Sequence, residues 1–193
     1  MENSADLISE KDSQNRLNNW VAVAVAILAA FMAVTKVKDD NIVQAMLQDK
    51  SDAVDTWSQF QSKSIKQHLA ELGREQTQAL RSTVTAQNAS QLDEQVKSYE
   101  AEIDRYKQET KELQDKAQGY EAQYDALNYR DDQFDLSDAA LSVALAMLAV
   151  TALTGKRWLL WASLVFAGFG LIMGLAGLFG LHLHPDALSR LLT

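Results

Sequence analysis

From Leu92 to Leu127 the apolar and aromatic residues recur at alternating spacings of four and three. Val96, Ile103, Thr110, Ala117 and Tyr124 hold one position of this seven-residue repeat; Leu92, Tyr99, Tyr106, Leu113, Tyr120 and Leu127 hold the other, which Phe134 continues. A helix patterned this way carries a narrow apolar seam and winds around a partner that covers it. The rest of the chain therefore has to supply the partner or anchor the seam.

The chain has one proline and eight glycines in 193 residues, so little in it breaks a helix, and an all-α protein is expected. Its hydrophobicity is gathered into blocks, which argues against a single globular core. Acidic residues outnumber basic ones 26 to 18, for a net charge of −8, and this disfavours nucleic acid as a partner. The absence of cysteine excludes disulfides, thiolate metal sites and thiol chemistry.

Residues 1–19 are polar and lack the basic start of a secretory signal, so they are expected to form a retained, flexible N-terminal tail. Three apolar blocks follow as expected transmembrane helices: residues 20–37, 136–154 and 158–183. The third has no charged side chain between Trp158 and Leu181, and Trp158 and Trp161 suit a headgroup level. Gly155, Lys156 and Arg157 leave room only for a tight turn, so the second and third spans form a hairpin. Residues 184–193 make a short C-terminal tail.

If the first two spans both cross, residues 38–135 must leave the membrane and return to the same face, which an antiparallel coiled-coil hairpin accomplishes. The turn is expected near residues 81–91, where the segment is least apolar and where Ser90 and Asp93 have capping-box spacing. The first arm offers a looser core: Val43, Met46, Leu47, Val54, Trp57, Phe60, Ile65, Leu69, Leu72 and Leu80. Val43, Val54 and Ile65 follow an eleven-residue period, as do Leu69 and Leu80, so imperfect pairing with the second arm is expected. The tyrosines of the second arm face either additional helices or water, and association of hairpins into a homo-oligomer is expected.

The base of the hairpin brings two charged runs together. Lys36, Lys38, Asp39 and Asp40 leave the first span; Arg130, Asp131, Asp135 and Asp138 approach the second, with the three aspartates on one helical stripe. This cluster could collect a cation at a pore mouth, but boundary charges that pair with each other and mark the end of the hydrocarbon explain it more simply. The three spans contain no Asp, Glu, Lys or Arg in their apolar cores, which disfavours an ion-coupled transporter or pump. Gly170, Gly174, Gly177 and Gly180 give the third helix a close-packing face. His182 and His184 read as a polar edge, His68 stands alone, and Asn88 heads a glycosylation sequon in the expected turn. No nucleophile triad, phosphate loop or dinucleotide fingerprint is present, so neither an enzyme nor a cofactor is expected.

The run from Lys36 to Met46, the run from Trp57 to Lys66, Arg130 to Asp135, and Thr154 to Trp158 resemble a bacterial family of small three-span membrane proteins whose domain has no known function. The resemblance extends from Asn19 to the third helix and implies a multi-pass protein of the bacterial inner membrane. It implies no catalytic residue. The preferred expectation is a membrane-anchored scaffold or oligomerisation module, with the lipid bilayer, further copies and a protein at the hairpin as partners. The alternative is a subunit of an ion-conducting or sensing assembly with an acidic, cation-collecting mouth. Lys156 and Arg157 in the tight turn favour a hairpin outside the inner membrane, whereas Lys36, Lys38 and Arg130 favour the opposite; short loops are the better reporters of orientation.

Overall fold

A computed structural model of the chain describes residues 4–85, 89–181 and 183, with side chains from residue 14 onward. Three helices account for nearly all of it: α1, Ser4–Arg81; α2, Ala89–Thr154; and α3, Arg157–Phe179. The N-terminal segment, expected to be flexible, is helical from Ser4, because nothing between it and the apolar block interrupts α1. The helices contribute to two compact units, one formed by Met1–Ala45 with Ala126–Thr193 and the other by Met46–Asp125.

In the first unit all three helices pack, with α2 antiparallel to α1 and α3. Val21, Leu28, Leu141, Ala144, Leu148 and Ala167 form the core, with Phe31, Met32, Leu160 and Leu171 against it. Glycine sets the approach of α3: a Cβ on Gly170 would stand 2.7 Å from the Leu141 side chain, and one on Gly174 would stand 2.7 Å from both Phe31 and Ser137 Oγ. Buried hydroxyls are all satisfied by backbone carbonyls, Ser137 by Gly170 at 2.7 Å, Thr151 by Met147 at 2.8 Å and Ser163 by Leu160 at 2.8 Å, as an interior without water requires.

The outside of this unit is as apolar as its inside. Val23, Ile27, Val34, Leu153, Val165, Ile172 and Phe179 are exposed, and so are Trp20, Trp158 and Trp161. Each of the three helices contains a stretch long and apolar enough to cross a membrane. α2 and α3 are joined through Gly155 at φ 68°, a left-handed position that favours glycine; Gln14 of α1 lies beside it. At the far end Gly180 turns left-handed, and the Leu181 N–H bonds the Ala176 carbonyl at 2.9 Å, closing the helix. α3 thus stops at Phe179, short of the expected end at residue 183. His182 and His184 lie outside the described residues.

In the second unit α1 and α2 form an antiparallel pair. The α2 ladder lies in the seam: Ile103, Thr110 and Ala117 are buried, and Val96, Tyr99, Tyr106, Leu113, Tyr120, Tyr124 and Leu127 are half-buried. The seam of α1 differs from expectation. Its buried and half-buried positions include Met46, Asp49, Ala53, Thr56, Phe60, Lys63, Gln67, Ala70, Arg74 and Thr77, a seven-residue period of mostly small or polar residues, with Asp52, Trp57, Ser64, Glu71 and Gly73 half-buried beside it; Met46, Trp57 and Phe60 are found where they are expected. Leu47, Val54, Ile65, Leu69, Leu72 and Leu80, expected in the core, are all exposed, as is Val43 in the first unit. The physical reason is the size of the opposing tyrosines. Tyr99 packs where a Cβ on Gly73 would be 2.8 Å from its ring, and bulky residues on α1 would hold the helices too far apart to close the seam.

Polar contacts fasten the two arms. Lys63 pairs with Glu109 at 2.6 Å, the Trp57 indole N–H donates to Glu121 at 2.8 Å, and Lys50 sits over the Tyr124 ring. α1 ends at Arg81 and α2 begins at Ala89. Asp93, expected in a capping box, instead receives two bonds from the Arg81 guanidinium, Nη2 donating at 3.1 Å. Asn88 is outside the described residues.

Candidate functional site

The densest charge in the first unit is a layer contributed by all three helices. α1 provides Lys36, Asp39 and Asp40 one turn apart, so one lysine serves both carboxylates: its Nζ donates to Asp39 Oδ2 at 2.8 Å and lies 3.6 Å from Asp40. Asp39 is 4 % exposed, and its Oδ1 receives no hydrogen bond from the surrounding protein groups. A buried carboxylate oxygen without a donor is costly unless a proton or a cation reaches it.

α2 brings the second carboxyl. Asp131 lies within hydrogen-bonding reach of Asp39, and burial, followed by that bond and by the negative charge of Asp135, pushes its pKa up to about 7. Two ionised carboxylates offer only acceptors, so the bond exists when Asp131 carries a proton to donate. Asp135 is raised in the same direction by burial and by the charge of Asp39, against the pull of Lys36. Asp138 is exposed and acts on Lys36 and Asp135 through its charge. Lys38 is exposed and enters no ion pair among the described residues. Also among the described residues, no three Asp, Glu or His side chains converge as metal ligands. The layer sets two carboxyls beside a lysine, with the protonated form of Asp131 favoured by its surroundings.

α3 contributes its last carbonyls. Gly177 O, left over when the chain turns at Gly180, accepts from the Arg130 guanidinium at 3.0 and 3.3 Å. A cation suits the negative end of a helix dipole. Gln133, with no exposed surface, donates from Nε2 to Leu181 O and Leu183 O, both at 2.7 Å. Gly177 lies against the Phe134 ring. Sequence reasoning singled out Arg130 and the aspartates but missed Gln133, whose flank of charges disguised a buried amide; an uncharged glutamine between Asp132 and Phe134 at the start of an apolar run was the available signal.

The remaining candidates are scattered. His68 pairs with Glu71 at 3.1 Å on the surface of α1. A groove of about 260 Å³ between the arms is lined by Lys50, Ala53, Val54, Trp57, Glu121, Tyr124 and Asp125; within it Trp57 bonds Glu121 and Lys50 sits over the Tyr124 ring. Of the four glycines, Gly170, Gly174 and Gly177 share one packing face and meet Leu141, Phe31 and Phe134, while Gly180 ends the helix.

With the layer and the fold described, the chain can be placed among known proteins. It belongs to the family described as Domain of unknown function (DUF4337), whose pattern matches residues 17–180 and therefore takes in both units. Comparison with curated proteins and with solved structures finds no match.

Proposed function

We propose that this protein is a multi-pass scaffold of the bacterial inner membrane, anchored by the apolar parts of α1, α2 and α3 and using the Met46–Asp125 hairpin as an assembly module. The carrying observation is the outer surface of the first unit, apolar on every helix. The tryptophans Trp20, Trp158 and Trp161 stand exposed at one end and the charged layer of Lys36, Asp39, Arg130 and Asp131 lies at the other. Aromatic rings at one boundary and charges at the next are what a bilayer asks of its two interfaces. From Trp20 to Lys36 the helix rises about 24 Å, and from Trp158 to Phe179 about 32 Å, which brackets the hydrocarbon thickness.

The partners of this reading are lipid, further copies of the chain, and a protein that meets the hairpin. It is non-enzymatic. An ion-conducting assembly would need a lumen lined by the glycine face of α3, and Gly170, Gly174 and Gly177 are already filled by side chains of the same unit. The charge of Lys156 and Arg157 favours a hairpin on the outer side of the inner membrane.

Alkaline carbonate washing of membranes from expressing cells tests the anchoring; the protein should stay in the pellet, and its release would refute the three spans. A Ser90→Cys variant tests sidedness, since the chain has no other thiol. A membrane-impermeant maleimide should label intact cells, and labelling only after lysis would put the hairpin in the cytoplasm.

A further inference from the structure

We propose that the outward face of α1 between Leu47 and Leu80 is the seam through which two copies of this chain pair, parallel and in register. This deepens the scaffold reading and rests on it, because a shared bilayer is what gives the two copies one direction and one height.

The two arms differ in what they show to the outside. Along α1, Leu47, Val54, Ile65, Leu69, Leu72 and Leu80 are each between 50 and 63 % exposed. Along α2 from Ala89 to Asp125, no large hydrophobic side chain is exposed among the described residues. The apolar surface is therefore one row on one helix, and it is the row for which α1 gave up its own seam to small residues.

The period of the row says how it is covered. Val54 and Ile65 are eleven residues apart, and Leu47, Ser58, Leu69 and Leu80 repeat at the same interval. Eleven residues make three turns of about 3.67 residues, so the row runs almost straight along the helix and drifts slightly right-handed. The seven-residue seam facing α2 winds the other way. A covering helix must share the eleven-residue period over the whole length, and a second copy of α1 does so by construction.

Charge selects the copy over a stranger. In parallel, in-register pairing each residue meets itself, so any charged residue on the row would face its like. Leu47, Val54, Ser58, Ile65, Leu69, Leu72, Gln76 and Leu80 carry none. The same arm holds Asp49, Lys50, Asp52, Asp55, Lys63, Lys66, Glu71, Arg74 and Glu75, none of them a member of the row; Lys50, one turn from Leu47 and Val54, turns its ammonium over the Tyr124 ring of α2. Ser58 and Gln76, the polar members, are neutral groups that can both donate to and accept from their own copies. The row spans about 50 Å and a helix is about 10 Å wide, so a pair buries roughly 1,000 Å², the lower bound of a specific interface.

Single-cysteine variants in native membranes test the seam. Under mild oxidation Ile65→Cys and Leu69→Cys should each give a disulfide dimer of twice the chain mass. The yield should be at least about tenfold above that of Ala101→Cys and Ala122→Cys on the polar back of α2, because a bridge needs Cα atoms within about 7 Å. Co-expressed Leu47→Cys and Leu80→Cys chains should give only homodimers, and Leu69→Glu placed in the Ile65→Cys background should abolish its band. Equal yields from Ile65 and Ala101, a mixed Leu47–Leu80 dimer, or a band with a polypeptide of different mass would each overturn the proposal. Carbonate washing of the same membranes reads the anchoring separately: a released protein that still cross-links through Ile65 fails the scaffold reading and keeps the seam.

Discussion

The two arms of the hairpin solve one packing problem in opposite ways. α2 puts its large residues, Ile103 and the half-buried tyrosines, into the seam and turns outward a back without large hydrophobic side chains. α1 puts Ala53, Thr56, Ala70 and Thr77 into the seam and leaves its leucines, isoleucine and valine outside. Large against small is what lets two helices approach closely. Burying a seam and being apolar are therefore separate properties: α1 is a partner to α2 by its small face and offers its apolar face to something else.

Removing one isoleucine from each arm should separate the two faces most strongly. Ile103 is 3 % exposed, so Ile103→Ala should cost about 2–5 kcal/mol of unfolding free energy. Ile65 is 60 % exposed, so Ile65→Ala in dilute detergent should stay within about 0.5 kcal/mol of the parent. Chemical unfolding followed by circular dichroism measures both. Raising the protein concentration should make the Ile65 change costly while leaving the Ile103 cost unchanged, since association stabilises the folded form by mass action. Equal losses at every dilution would mean that the two faces do not differ.

Glycine sharpens it next. Gly73 of α1 lies in the seam with the Tyr99 ring 2.8 Å from where its Cβ would be, and Gly119 of α2 has nothing within 4 Å. Gly73→Leu should therefore lower stability by about 1–3 kcal/mol through overpacking. Gly119→Ala should raise it by about 1 kcal/mol, because the helix gains propensity and meets no obstacle. Thermal melts that move in opposite directions support the packing; a Gly73→Leu variant that melts like the parent would mean that Tyr99 does not need the gap.

How far the sequence could be read follows from the same asymmetry. The α2 ladder is legible because its seam residues are bulky, and the reversal of the chain falls where polar, turn-forming residues collect, between Arg81 and Ala89. The α1 seam is legible only at Met46, Trp57 and Phe60, because Ala53, Thr56, Gly73 and Thr77 give no hydrophobic period, while the period that is visible belongs to the outer face. The charges of the candidate layer are plain in the sequence, but the depth of Asp39 is not. Nor are the bonds of Arg130 and Gln133, which go to backbone carbonyls around the left-handed Gly180, groups that a side-chain pattern does not reveal.

Varying pH separates the hairpin from the acid pair. Asp131 is raised to about 7 by burial, by its bond to Asp39 and by the charge of Asp135, in a setting that also holds Lys36 and Asp132. Its stabilisation is full below the ordinary carboxylate value and is lost as pH rises through about 7, so the melting temperature should fall between pH 5 and pH 8. Asp131→Asn keeps a hydrogen-bond donor and cannot ionise; it should flatten this slope and raise the melting temperature at pH 8. A slope that survives the substitution would assign it to another group.

The carboxylates that tie the arms carry the opposite sign and the smallest effect. The Lys63 ammonium holds Glu109 below its usual range, and the Arg81 guanidinium does the same to Asp93. Their contribution is complete above the ordinary carboxylate values and is lost as pH falls through the lowered ones, a window well on the acid side of that of Asp131. Both pairs are open to water, where such bridges contribute little and are screened by salt. Asp93→Asn should therefore leave the melting temperature at pH 7 within a degree or so of the parent. Its visible effect should be local, in faster amide hydrogen exchange over the last turn of α1 and the first turns of α2, because the guanidinium holds the two helix ends together across the turn. Unchanged exchange there would mean that the seam alone closes the hairpin. In that case the small-against-large contacts of Gly73 with Tyr99, and not the ion pairs, define where the arms meet.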